Sequence, residues 1–98
     1  MKTPLRPTRE AAEMAAIQAL GFLAEDPARL ARFLDMTGIA AEDIRTAARA
    51  PGFLAGVLAH MLGDESLLIA FAENAGIDPA DVVPAYGTLG GQEDRKEP

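Results

Sequence analysis

Asp35–Ile44 reads DMTGIAAEDI, and Glu73–Val82, thirty-eight positions further on, reads ENAGIDPADV. Each stretch passes through a Gly-Ile pair into carboxylates and ends on a β-branched residue. Such a pair is compatible with two origins: the turn of a helix-turn-helix DNA reader, or a duplication that builds a small helical bundle. A helix-turn-helix wants a turn glycine, an apolar residue, four variable positions and another apolar residue. Gly38-Ile39 to Ile44 has that spacing, and so has Gly76-Ile77 to Val82. The helix that follows would offer its first residues to base edges and phosphates. Those residues are Glu42 and Asp43 in one copy, Asp78 and Asp81 in the other. Carboxylates there repel DNA, whose affinity for proteins comes largely from lysine and arginine. The tri-helical packing unit is therefore expected, and the reading of DNA is not.

Aligned without a gap, residues 16–45 and 54–83 are identical at seven of thirty positions. Leu20/Leu58, Asp26/Asp64, Phe33/Phe71 and Gly38/Gly76 are among them. Alanine-rich helices align by chance, so the weight lies in what matches: helix starts, a helix stop and apolar sites. Each half reads as three short helices. Thr8 caps the first, which runs to about Leu23. Asp26-Pro27, a cap followed by a first-position proline, opens the second, and Gly38 closes it in the left-handed conformation. Leu30, Phe33, Leu34 and Thr37 fall on its buried face. The third begins near Ala41 and is over before Pro51.

The second half repeats the plan, with a helix over Phe53–Leu62, one from Asp64 to Gly76 and a sixth opened by Asp78-Pro79. Pro84 has no N–H to give, so the sixth is predicted to kink or break after one turn. The first and fourth helices are apolar nearly all round, interrupted by Gln18 in Met14–Ala24 and by His60 in Phe53–Leu62. Helices of that kind are normally buried. They are predicted to form a touching central pair, with Leu20 and Leu58 almost fully enclosed and four amphipathic helices around them. The fold class that results is all-α, a compact bundle of six short helices in two pseudo-repeated tri-helical halves. Residues 1–7 read as a flexible basic head, 8–89 as a single domain, and 90–98 as a disordered charged tail.

Charge is unevenly placed along the chain. The head carries Lys2, Arg6 and Arg9 and no acid, whereas residues 10–89 hold four arginines against twelve carboxylates. Between Pro51 and Gly91 there is neither lysine nor arginine. A surface of that composition repels phosphate and favours a basic partner. A basic head before the apolar run Met14–Ala24 has the outline of a signal peptide, but Glu10 and Glu13 interrupt it and no small-residue cleavage site follows. The longest uncharged run, Ala50–Gly63, is shorter than the ~20 residues of a membrane span. The expected setting is the cytoplasm. With no cysteine, thiol catalysis and thiolate metal sites are excluded.

Little remains for chemistry. His60 precedes Asp64 by four residues, but two ligands are too few for a metal, and Asp64 already serves as a cap. His60 aligns with Phe22, which favours packing at the core edge. Ser66 has no base at helical spacing, and no glycine-rich phosphate loop is present. No catalytic residue, cofactor or metal is expected, and the protein is not read as an enzyme. Arg29, Arg32, Arg45 and Arg49 form either a patch for an acidic partner or local pairs, Glu25–Arg29, Arg32–Asp35 and Glu42–Arg45. Arg49 lacks an obvious helical partner. Ile69 lies opposite the apolar stripe of the fifth helix, between Glu65 and Glu73 at i−4 and i+4. It is either a scattered surface residue or an interface anchor in an acidic rim.

AAIQALGFLAEDPARLARFLDMTGI, followed by APGFLAGVLAHMLGDESLLIAFAENAGIDPADV, resembles an uncharacterised alphaproteobacterial family catalogued as domain of unknown function 3572. The resemblance covers about residues 10–90, and its most specific pieces are Phe22-Leu23-Ala24, Arg32-Phe33-Leu34, Thr37-Gly38 and Pro51-Gly52-Phe53-Leu54. Family members more often carry Asp-Phe at the place of Ala59-His60. The resemblance implies a small bacterial cytoplasmic protein and brings no activity or ligand residues with it. The reading that follows is a non-catalytic protein-interaction module, regulatory or adaptor, with Glu65, Ile69, Glu73, Asp78, Asp81 and Arg49 as candidate partner-binding residues. Its partner is expected to be another protein, a second copy of the chain included. The alternative is a nucleic-acid-associated helix-turn-helix-like factor.

Overall fold

Thr8 starts the fold, because its Oγ1 accepts a hydrogen bond from the Ala11 N–H at 3.0 Å and so satisfies one of the orphan donors of a helix start. Helix α1 follows over Arg9–Ala24 in the computed structural model, which describes residues 7–50 and 52–90. The expected head and tail lie outside those residues, except for Pro7 and Gly90. Helix α2 spans Pro27–Thr37, with Asp26 Oδ1 accepting from Ala28 N at 3.0 Å. A 3₁₀ turn at Ala41–Asp43 leads into α3, Ile44–Ala47, and α4 spans Phe53–Leu62. Helix α5, Glu65–Ala75, is capped by Asp64 Oδ1 through Leu67 N at 3.2 Å. A second 3₁₀ turn, Pro79–Asp81, leads into α6, Val82–Thr88. No strand occurs among the described residues, and the all-α class holds. Each such cap is worth about 1 kcal/mol, enough to fix where a short helix begins.

The two stops are built on glycine. Gly38 has φ 76° and Gly76 φ 72°, the left-handed region in which a Cβ is penalised. Gly38 N donates to Leu34 O at 2.8 Å, a single closing bond. At the second stop Ile77 N reaches back to Ala72 O at 3.0 Å, the longer closure of a Schellman motif. Ile39 and Ile77, the residues that follow, are half-buried against the core.

The core forms where α1 and α4 meet. Ala12, Ala16, Ala19 and Leu23 are fully buried on α1, as are Val57, Leu58 and Met61 on α4. The alanines let the two backbones approach, and the larger α4 residues fill the space. Phe33 and Phe71 bring α2 and α5 into the same core, Phe33 against Phe53 (centroids 6.0 Å apart) and Phe71 against Phe22 (5.8 Å). Helix α6 packs on both central helices and buries Val82, Ala85 and, just beyond its end, Leu89. The Thr88 hydroxyl donates to Pro7 O at 3.1 Å, so the last helix holds the backbone just before the first.

Five expectations need correction. Leu20 is half-buried, because the enclosed face of α1 is centred on Ala12, Ala16, Ala19 and Leu23 and leaves Leu20 at its margin. Nor is α1 enclosed all round, since Met14 and Ile17 stay 55% and 54% exposed on its outer side. Thr37 is exposed, its hydroxyl satisfied by Phe33 O at 2.9 Å. Pro84 does not end α6, which runs on to Thr88: it falls in the first turn, where an N–H would have no intrahelical partner. The three expected ion pairs are absent among the described residues, where Arg9–Glu13 (3.2 Å) and Arg29–Asp26 (3.8 Å) form instead. Arg29 also lies over the Phe22 ring at 4.4 Å, which holds it toward the start of α2. Glu42 belongs to a 3₁₀ turn, so its offset to Arg45 does not produce an α-helical neighbour.

The two halves share their order of elements but not their use of the third. Helix α3 is four residues long and contributes only half-buried Ile44 and Ala47, whereas α6 is part of the core. No single helix is long and apolar enough to cross a membrane.

Candidate functional site

Helix α5 turns two faces outward and inward with different chemistry. Phe71 and Ala72 are buried and Leu67, Leu68 and Ala75 half-buried, which fixes the helix against α4 and α1. On the other side Glu65, Ile69 and Glu73 succeed one another at i and i+4, all exposed, and Ile69 is 43% accessible. One turn separates each from the next, so the isoleucine stands between two carboxylates.

The remaining sequence-derived candidates lie elsewhere. Asp78 is exposed and its Oδ1 accepts from Ala80 N at 2.9 Å, so it caps the second 3₁₀ turn while keeping its charge outward. Asp81, at the end of that turn, borders a groove shared with Pro7, Ala11 and Ala15 of the α1 side. Arg49 lies in the turn after α3, beside Arg45 and Thr46 around a shallow depression. The structure thus brings Glu65, Ile69 and Glu73 together, puts Asp81 on a different groove, and leaves Arg49 with the first half.

His60 occupies the place expected of a core-edge residue. Its ring meets Phe33 edge-on, with centroids 5.2 Å apart. Nε2 is enclosed and has no hydrogen-bond partner among the described residues. Burial is the main reason that its pKa falls below the ordinary value; the nearby Arg32 charge lowers it further, and Asp64 opposes both. Depressions on either side share Arg32, His60 and Asp64, and Ser66 lines one of them. Asp64 is occupied as the α5 cap, and no group of three or more metal-ligating side chains occurs among the described residues.

One further surface was not legible in the sequence. Between α1 and the segment from α5 to α6 run two depressions, one lined by Ala11, Ala15, Ile77 and Pro84, the other by Gln18, Phe22, Asn74 and Ala75. Alanines and amides carry no chemical signature of their own. Only folding places residues so far apart in the chain on facing walls.

These features define a small all-α domain of six short helices whose distinguishing parts are surfaces. The chain belongs to the family described as Protein of unknown function (DUF3572), whose model matches residues 9–92. No curated protein and no solved structure matches it.

Proposed function

We propose that this protein is a non-catalytic interaction module, a regulator or adaptor of the bacterial cytoplasm, that receives a basic protein partner on the outward face of α5. The observation that carries the reading is Ile69, 43% exposed between the exposed carboxylates of Glu65 and Glu73. An apolar anchor within a charged rim is the common anatomy of partner sites. The absence of lysine and arginine between Pro51 and Gly91 adds a field that steers a cation toward this half and weakens with salt. The nucleic-acid alternative has less support, since α3 offers four residues to a groove and its turn carries Glu42 and Asp43.

The test compares wild-type and Ile69→Arg protein as baits in lysate of the native organism, with bound proteins identified and thermal unfolding measured in parallel. The reading expects a partner on wild type that the variant loses at unchanged melting temperature. A partner retained by the variant, or lost together with stability, overturns it.

A further inference from the structure

Asp81 directly precedes α6, the place of a capping residue, yet its side chain makes no cap hydrogen bond. Two features prevent one. Its backbone, at φ −77° and ψ −13°, is already helical, whereas a capping residue is normally extended. Pro84, the third residue of α6, also lacks the N–H that a capping carboxylate often takes. Asp78 differs, because it caps its own 3₁₀ turn through Ala80 N. Asp81 is exposed and takes part in no ion pair among the described residues. The fold therefore leaves this carboxylate without a partner among those residues.

The same residue lines the depression that holds Ala11 and Ala15, and every other residue around that hollow is apolar. The two alanines leave room on the α1 side, since each projects only a methyl group. Ile77 and Pro84 add apolar surface from the second half of the chain. Short local bonds hold the lining in place. Ile77 N is fixed to Ala72 O at the Gly76 stop, and Pro7 O accepts from the Thr88 hydroxyl. The hollow is thus formed in advance, as small-molecule sites usually are.

Its volume is about 280 Å³. At about 30 Å³ for each water-sized group, that is space for about nine non-hydrogen atoms. A hollow of that volume is only about 8 Å across, so a cation anywhere inside it stays within a Debye length of Asp81. No lysine or arginine lines it, and none occurs between Pro51 and Gly91 to compete for the carboxylate.

We propose that this hollow binds a small organic amine, with an apolar body of about eight carbon atoms and one protonated nitrogen set against Asp81. The apolar lining takes the body, and the unpaired carboxylate selects a cation over a neutral or anionic molecule of the same shape. The site is separate from the Ile69 face, and the two readings fail independently.

The test titrates isotope-labelled full chain with phenethylamine, following amide chemical shifts. Phenethyl alcohol and phenylacetate serve as the neutral and anionic counterparts. The expected result is saturable shifts at Ala11, Ala15, Ile77 and Asp81 with the amine, at a dissociation constant of about 1 mM. The alcohol should bind about fivefold more weakly, the upper range for an exposed ion pair, and phenylacetate not at all. Asp81→Asn should reduce the amine to the affinity of the alcohol at an unchanged melting temperature, because the residue makes no cap bond. Ala15→Leu should fill the hollow and abolish binding of both, and Ile69→Arg should alter neither. Circular dichroism of each variant separates lost binding from lost folding. Four outcomes overturn the proposal: no saturable binding of the amine, equal affinity for amine and alcohol, shifts confined to residues 65–73, or binding that appears only after residues 1–6 are removed. The last would give the hollow to the chain's own head.

Discussion

His60 and Phe33 pack their rings nearly at right angles, 5.2 Å between centroids, and the enclosed Nε2 of His60 has no hydrogen-bond partner among the described residues. Burial, and after it the nearby Arg32 charge, favours the neutral imidazole. Protonating it would place a second cation beside Arg32, on α2, with Asp64 at the α5 cap as the compensating charge. The folded pKa is therefore below the unfolded value, and the folded state binds the proton less well. Stability contributed by this group is complete above the unfolded pKa of about 6.5 and is lost as pH falls through that value toward the folded pKa. Urea denaturation between pH 8 and 5 should show a decline that His60→Phe reduces. At pH 7 the same variant should be as stable as wild type or up to about 1 kcal/mol more so, because it removes a buried unpartnered nitrogen. A decline identical in the two proteins would rule out His60 as its source.

Leu58 and Leu20 occupy matching positions in the two halves but differ in enclosure. Leu58 is fully buried and Leu20 is half-buried. Leu58→Ala should cost about 2–5 kcal/mol in chemical denaturation, the range for a cavity in a packed core. Leu20→Ala should cost about 1–2 kcal/mol, because solvent can follow the missing side chain and less apolar area is lost. Equal costs would place both residues in the same environment and contradict the asymmetry of α1.

Pro84 sits in the first turn of α6, where no intrahelical acceptor waits for an N–H. Pro84→Ala should therefore change stability by less than about 1 kcal/mol, with a small loss from the freer unfolded chain. A gain near 3 kcal/mol, the penalty for proline inside a helix, would mean that the residue distorts α6.

Local chemistry explains what could be read from the chain beforehand. Thr8, Asp26, Asp64 and Asp78 each bond a backbone N–H two or three residues on, and Gly38 and Gly76 adopt a backbone form that glycine favours. Such signals act within one turn, so they need no knowledge of the fold. The side of α1 left to solvent, the shortness of α3 and the preference of Arg29 for Phe22 and Asp26 arise from packing across the molecule. The candidate surfaces divide in the same way. Ile69 between Glu65 and Glu73 is a helical spacing and stood out at once, whereas the depression lined by Ala11 and Pro84 draws on parts of the chain that no spacing connects.

The hydrogen bond from Thr88 to Pro7 makes the folded part of the chain nearly a closed ring. Its entry and exit lie side by side, and the turn around Gly52 is the point diametrically opposite in sequence. Which half comes first is then a matter of where the ring is cut. A circular permutant opened between Ala50 and Gly52, with the former ends joined by a short flexible linker, would keep each helix beside its present neighbours. The same geometry means that a protein joined at Pro7 and one joined at Gly90 would leave from neighbouring places on the surface.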